Sequence, residues 1–223
     1  MSASSAAHVI AGFRYQLLQS VSALIALREN EELLLEVSED FTIVAQDVAT
    51  DVQVKNSQAA RGPRPFSLQS PDVASVLQRY WAASNEGTLK RRLIFLARGG
   101  AAVERDYSFP GELPGLVYWH AAALGADTQS LRAALIKILS DVPLGRWLAS
   151  NPDDAELRSR LLHRVQWELE SISAEQLVIQ LRDEVRHPPK APFVGSAIRL
   201  HRIPPHVRDD RERPSRGTGR QSI

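Results

Sequence analysis

The chain has 223 residues, of which 43% are hydrophobic and 24% are charged, and its formal net charge is +1. This is the composition of an ordinary globular protein, and the length suffices for one elaborated domain or two small ones. The chain has no cysteine, which excludes disulfides, thiolate zinc sites and a cysteine nucleophile. Its six histidines show no metal-ligand spacing, so any metal ion would have to be bound by oxygen.

The N-terminal residues do not have the pattern of a secretory signal. There is no run of about 18 consecutive apolar residues and no basic start followed by a long apolar stretch, so we expect a cytoplasmic protein without a membrane segment. Residues 187–223 hold eight Lys or Arg and three acidic residues, a charge of +5 against −4 for the rest. We expect residues 188–223 to form a disordered basic tail, which either solubilises the protein or attracts phosphates.

The first hundred residues predict a mixed order of helices and strands. Apolar residues at three- and four-residue steps indicate a helix at residues 8–28, and we expect its Phe13 and Tyr15 in the core. Ser70 and Pro71 begin a second helix. Strands are predicted at residues 31–37, 41–45, 51–55 and 90–97. The predicted order is αβββαβ, an α/β fold.

Beyond residue 100 the pattern becomes mainly helical. Helices are predicted at residues 116–124, 128–139, 144–149, 153–162 and 174–185, with a strand at residues 163–172. We therefore divide the chain into a core domain (residues 1–100), a mainly helical extension (residues 101–187) and the basic tail (residues 188–223). The sequence has no phosphate-binding G-x-x-x-x-G-K-[ST] loop, so it gives no support for nucleotide hydrolysis.

A polar row follows one predicted strand. Side chains alternate along a strand, so Asp51, Gln53 and Lys55 emerge on one face. Taken alone, such a row is most often the solvated face of an edge strand. Asp51 and Glu39 are expected to be turn residues at the surface.

Asp40 suggests that this row belongs to a metal site. Pairing of neighbouring strands would put its carboxylate beside Gln53 and Lys55. A hard divalent cation binds carboxylate and carbonyl oxygens together with phosphate oxygens. It polarises the phosphate and lowers the pKa of a bound water, and a nearby lysine can stabilise the developing charge. We predict Asp40 as the main ligand, Gln53 as a neutral ligand, Glu36 as a second acid and Lys55 as the charge stabiliser.

Asp40, a gap of twelve residues and the Gln-x-Lys motif at residues 53–55 resemble the PD-(D/E)xK nuclease superfamily in its QxK form. More narrowly, residues 12–16 (GFRYQ), 35–40 (LEVSED) and 52–55 (VQVK) resemble the DUF4297 type of nuclease domain. Such domains stand at the N-terminus of antiphage effectors, including double-stranded DNA endonucleases associated with CD-NTases. The resemblance covers residues 8–97 well, the helical remainder weakly and the tail not at all.

The resemblance implies a restriction-endonuclease-like core and assigns roles residue by residue. Asp40 matches the metal-binding acid, and Gln53 and Lys55 match the two ends of the motif. Gln16 matches a glutamine of the first helix that lines or buttresses the site, and Glu36 matches an acid often present there. The implied cofactor is Mg²⁺ or Mn²⁺. Because Gln53 replaces the usual acid, the site has one negative ligand fewer.

We therefore expect a metal-dependent endonuclease that cleaves double-stranded DNA with low sequence specificity, as an antiphage defence effector. Arg61 and Arg64 would contact the DNA backbone. The implied partners are further copies of the chain or a sensor or NTPase subunit. The alternative is a catalytically inactive module of the same fold for DNA binding or protein interaction, and RNA is a third possibility as the substrate.

Overall fold

The computed structural model of the protein describes residues 3–35, 39–56, 58–59 and 62–187. These residues form a five-stranded mixed sheet with helices packed on both of its faces. The predicted mixed α/β class is confirmed.

The described helices and strands have the following bounds. The helices are α1 (Ala3–Ala26), α2 (Pro71–Glu86), α3 (Gly115–Ala123), α4 (Gln129–Ile138), α5 (Pro143–Ala149), α6 (Asp154–Leu157) and α7 (Ala174–Arg186). The strands are β1 (Glu31–Leu35), β2 (Phe41–Ala45), β3 (Val48–Lys55), β4 (Gln58–Ala59), β5 (Gly62–Pro63), β6 (Lys90–Ala97) and β7 (Val165–Glu168). A single π-helical turn, Arg158–Leu162, follows α6 directly.

The large sheet has the strand order β1-β2-β3-β6-β7. β1, β2 and β3 form an antiparallel meander, whereas β6 and β7 run parallel to β3. Short connections explain the meander, and α2 makes the crossover from β3 to β6 that a parallel pair requires. The elements up to β6 therefore follow the predicted αβββαβ order, with the small β4-β5 hairpin added before α2.

The two faces of β3 meet different layers. Val52 and Val54 pack in an apolar cluster with Tyr15 of α1 and Leu177 of α7. On the opposite face, β6 contributes Leu93, Phe95 and Ala97 to a larger cluster formed with α2 and the later helices. The register places Asp51, Gln53 and Lys55 beside these three β6 residues, facing α2. The predicted polar row is therefore covered by a helix and is not a solvated face.

The larger cluster crosses residue 100. Leu77 of α2 and Phe95 of β6 pack in it together with Trp119, Leu135 and Leu161 from the region that was predicted to be a helical extension. β7 adds a strand to the sheet beside β6, and α7 packs on α1. The helical region therefore shares its core with the sheet.

Several sequence-based boundaries need correction. β3 begins at Val48, three residues before the predicted start, so Asp51 lies inside the strand. The helix predicted over residues 153–162 is a four-residue α-helix followed by the π-helical turn. The strand predicted at residues 163–172 is confirmed but covers only Val165–Glu168.

α1 differs most from expectation. Tyr15 is fully buried as predicted, but Phe13 is exposed, so its expected place in the core is wrong. The stretch Val9–Ala26 is long and apolar enough to cross a membrane by length and composition, although no such segment was expected. Its inner face nevertheless packs on the sheet, as in a soluble α/β protein.

Candidate functional site

Asp40 stands directly before β2, where the register of β2 and β3 puts it opposite Gln53. One carboxylate oxygen, Oδ2, accepts a hydrogen bond of 2.6 Å from the Val54 backbone N–H and another from Gln53 Nε2. The other oxygen, Oδ1, accepts from Gln16 Nε2 of α1 at 2.9 Å. The structure thus brings together three of the predicted site residues, which come from α1, from the residue before β2 and from β3.

The environment of Asp40 opposes its ionisation. Burial raises the pKa of the Asp40 carboxyl above its ordinary value, whereas hydrogen bonds from Val54 and Gln53, the charge of Lys55 and the hydrogen bond from Gln16 act to lower it. Burial has the larger effect. Ionised Asp40 therefore costs folding free energy, and this cost appears as the pH rises through the folded-state pKa. A bound cation would offset it.

Lys55 completes the predicted set at the end of β3. Its Nζ lies 3.1 Å from Asp72 Oδ1, in the first turn of α2, and both side chains are about one-third exposed. The Lys55 charge also acts on Asp40. Lys55 is therefore a cation at the edge of the site, positioned by an acid that the sequence analysis did not single out.

Arg79 of α2 is the second residue that sequence reasoning missed. Its guanidinium binds Glu39 through two hydrogen bonds of 2.7 and 2.8 Å, and it donates to Gln53 Oε1 at 2.8 Å. The Glu39 side chain is only 5% exposed, so the prediction of a surface turn residue is wrong. The Gln53 carboxamide therefore joins two charged groups, since its oxygen accepts from Arg79 and its nitrogen donates to Asp40.

Asp51 belongs to a separate cluster on β3. It is 2% exposed, and its carboxylate binds Arg91 Nη1 at 2.7 Å and accepts from Thr42 Oγ1 at 2.8 Å. Because an arginine already balances its charge, Asp51 is a structural residue of the β2-β3-β6 region. The expectation of a surface turn is wrong here as well.

The remaining predicted residues lie elsewhere. Glu36 and Arg61 fall outside the described residues. Arg64 is exposed in the loop before Phe66, and this loop is fixed by hydrogen bonds between the Phe66 backbone and residues 100 and 102. Gly99 permits this close approach, because a Cβ at that position would lie 1.8 Å from the Arg64 carbonyl oxygen.

The donor set for a divalent cation is small. Within the part of the chain that the structure describes, no group of three or more His, Asp or Glu side chains could hold a metal ion. Mg²⁺ needs only one or two carboxylates, because waters and substrate phosphates fill its other positions. Asp40 meets this minimum. The Gln53 oxygen already accepts a hydrogen bond from Arg79, whose positive charge opposes a cation at the same oxygen.

The chain matches no protein-family model, no curated protein and no solved structure. We therefore infer a function from the geometry of these residues and from the motif resemblance.

Proposed function

We propose that this protein is a metal-dependent endonuclease, with its site at Asp40, Gln53 and Lys55. The observation that carries the proposal is the meeting of the Asp40 carboxylate with the Gln53 carboxamide, with the Lys55 ammonium close enough to act on that carboxylate. A carboxylate, a carbonyl oxygen and an ammonium group are the groups that metal-assisted phosphodiester hydrolysis uses. A restriction-endonuclease-like core is part of the same proposal.

Each residue has a stated role. Asp40 holds the cation, and Gln16 and the Val54 N–H orient its carboxylate. Mg²⁺ or Mn²⁺, when bound, polarises the phosphate and lowers the pKa of a water ligand. Lys55 donates to the attacking water or to a phosphate oxygen and stabilises the charge that develops there. Glu36 stays a predicted second acid.

The substrate class follows from the motif resemblance. Double-stranded DNA cut with low sequence preference, a role in antiphage defence and a cytoplasmic location all remain proposals on that basis. Arg61 and Arg64 stay predicted phosphate contacts. Further copies of the chain, or a sensor or NTPase subunit, stay the proposed partners.

A plasmid cleavage assay tests the proposal. We expect the wild type to cut plasmid DNA in the presence of Mg²⁺ or Mn²⁺. Addition of EDTA should abolish this cleavage. Lys55→Ala and Asp40→Asn should each lower the rate by about 100-fold or more, since each removes a group that stabilises the reacting charge. Adding RNA to the same reaction tests whether RNA is the substrate.

The chain offers matched controls for both substitutions. Lys90 and Asp47 form an exposed ion pair, with 2.8 Å between Lys90 Nζ and Asp47 Oδ2, outside the site cluster. Lys90→Ala and Asp47→Asn should therefore cleave like the wild type. Equal cleavage by all five proteins would show that the activity comes from another site or from a contaminant.

A catalytically inactive module is the second candidate, and one observation favours it. Gln53 Oε1 accepts from Arg79, so the only neutral ligand of the proposed site is already hydrogen-bonded to a cation. A protein that binds DNA in a gel-shift assay but neither cuts it nor binds Mn²⁺ would support this candidate over the nuclease.

A further inference from the structure

α1 has two faces of opposite character. Its inner face is fixed to the rest of the protein by Tyr15, whose hydroxyl donates to the Ile172 carbonyl at 2.9 Å and accepts from Gln19 Nε2 at 2.9 Å. Phe13 and Leu17 lie about 200° around the helix from Tyr15. They belong to an exposed apolar row, which we call the outer stripe: Val9, Ile10, Phe13, Leu17 and Val21.

The outer stripe is unusual for a surface helix. Its five side chains are 37% to 68% exposed, and Arg14 is the only Asp, Glu, Lys or Arg in all of α1. A helix face in water normally carries charged and polar residues. Contiguous apolar patches of several hundred Å² on a protein surface mark interaction sites.

The size of the stripe fits a symmetric pair. Five side chains exposed to this degree offer roughly 500 Å² of apolar surface per chain. Two such stripes packed together would bury about 1,000 Å², which reaches the lower limit for a specific interface. Four of the five residues follow each other at four-residue steps, and rows of this spacing pack into each other with the helices crossing at about −50°.

The charge pattern distinguishes a protein partner from a bilayer. Helices that lie on membranes carry Lys and Arg on the face opposite the apolar one, where these residues meet anionic headgroups. In α1 that opposite face carries Tyr15 and Gln19 and is packed on the rest of the protein. Because the outer stripe is uncharged, it can pack against the outer stripe of a second copy without burying a charge.

We propose that the outer stripe of α1 is the contact surface for a second copy of this chain, which forms a twofold-symmetric dimer through crossed α1 helices. The inference does not depend on nuclease activity, because it rests only on the exposure, charge and spacing of the stripe.

The oligomeric state of the full chain tests this inference. Light scattering coupled to size exclusion should give about twice the chain mass of 24.7 kDa. Leu17→Glu should lower the association constant by at least about 100-fold, because pairing would bury its charge. Leu124→Glu is the matched control, since Leu124 is 76% exposed at the end of α3 and should leave the dimer intact.

Cysteine variants test the same inference if Leu17→Glu does not fold. Because the natural chain has no cysteine, Phe13→Cys or Leu17→Cys should form a disulfide-linked dimer under mild oxidation, whereas Leu124→Cys should not. A wild-type monomer at all concentrations overturns the proposal. A dimer that persists in Leu17→Glu also overturns it. So does a monomeric wild type that co-floats with phosphatidylcholine vesicles in a density gradient. None of these results depends on DNA cleavage, so the two proposals fail separately.

Discussion

Arg79 connects two carboxylates through one carboxamide. It binds Glu39 directly. It also donates a hydrogen bond to the Gln53 oxygen, and the Gln53 nitrogen donates one to Asp40. Asp40 also raises the pKa of Arg79, after the larger effect of Glu39. In the absence of a metal ion this positive charge stabilises the Asp40 carboxylate, and it opposes a cation that would bind there. We therefore expect Arg79 to lower the affinity of the proposed metal site for a cation.

Replacing Arg79 should strengthen cation binding. In Arg79→Met the charge is lost, the Gln53 oxygen is released and the aliphatic packing is kept, so we expect Mn²⁺ to bind several-fold more tightly in calorimetric titration. Arg160→Met is a suitable control, because Arg160 is 43% exposed and pairs with Glu156, while Arg79 is 45% exposed and pairs with Glu39. Weaker Mn²⁺ binding by Arg79→Met would mean that Arg79 supports the site.

The sequence could place Asp40 beside Gln53, because two short neighbouring strands pair antiparallel and the register follows. It could not reveal Arg79, which approaches Gln53 from a helix 26 residues further along. Which side of that helix meets the sheet depends on the packing of Val73, Val76 and Leu77. Glu39 was misjudged for the same reason, since its burial depends on Arg79.

At the scale of elements, two aspartates in and just before β3 have different surroundings. Asp51 lies inside the strand and pairs with Arg91 of β6, whereas Asp47 precedes the strand and pairs with Lys90 of the same β6. The first pair is largely buried and the second is exposed. Buried pairs are costly to break because a charge stays behind without a partner, and exposed pairs contribute little.

The two aspartates should therefore respond differently to substitution. Asp51→Ala should lower the free energy of unfolding by about 3 kcal/mol, because it leaves the Arg91 guanidinium without its carboxylate. Asp47→Ala should leave the urea midpoint nearly unchanged. Chemical denaturation of the three proteins measures both effects, and equal midpoints would contradict a structural role for Asp51.

α1 shows the limit of periodicity as a guide to burial. Val9, Phe13, Leu17 and Val21 form an apolar row, yet the row is exposed. The buried side of α1 includes Tyr15, Gln19 and Ser20, which are polar but hydrogen-bonded. Their partners include Ser171 and Ile172, more than 150 residues away, so no local pattern identifies this side as the inner one.

At the scale of the whole molecule, the helices after residue 100 cover the same sheet face as α2. Leu93 and Phe95 of β6 are almost fully buried, and the cluster that buries them includes Trp119 and Leu161. Removal of the later residues would expose this face to water. We therefore expect folding of the sheet to depend on the region first predicted to be an extension.

Truncation tests this dependence. A fragment of residues 1–100 should show no cooperative thermal unfolding and should be cut rapidly by proteases, because it lacks β7, α7 and most of the larger apolar cluster. A fragment of residues 1–187 should unfold cooperatively, since it keeps every described element. A stable 1–100 fragment would show that the early sheet is an independent domain.

Local patterns in the chain were enough for the α/β class, the β1-β2-β3 meander and the meeting of Asp40 with Gln53. These features depend on strand alternation and on short connections, which neighbouring residues specify. The inner face of α1, the place of β7 beside β6 and the contact of Arg79 with Gln53 emerged only from the folded chain. They depend on packing between segments far apart in the sequence, where side-chain shape and the satisfaction of buried polar groups choose among many arrangements.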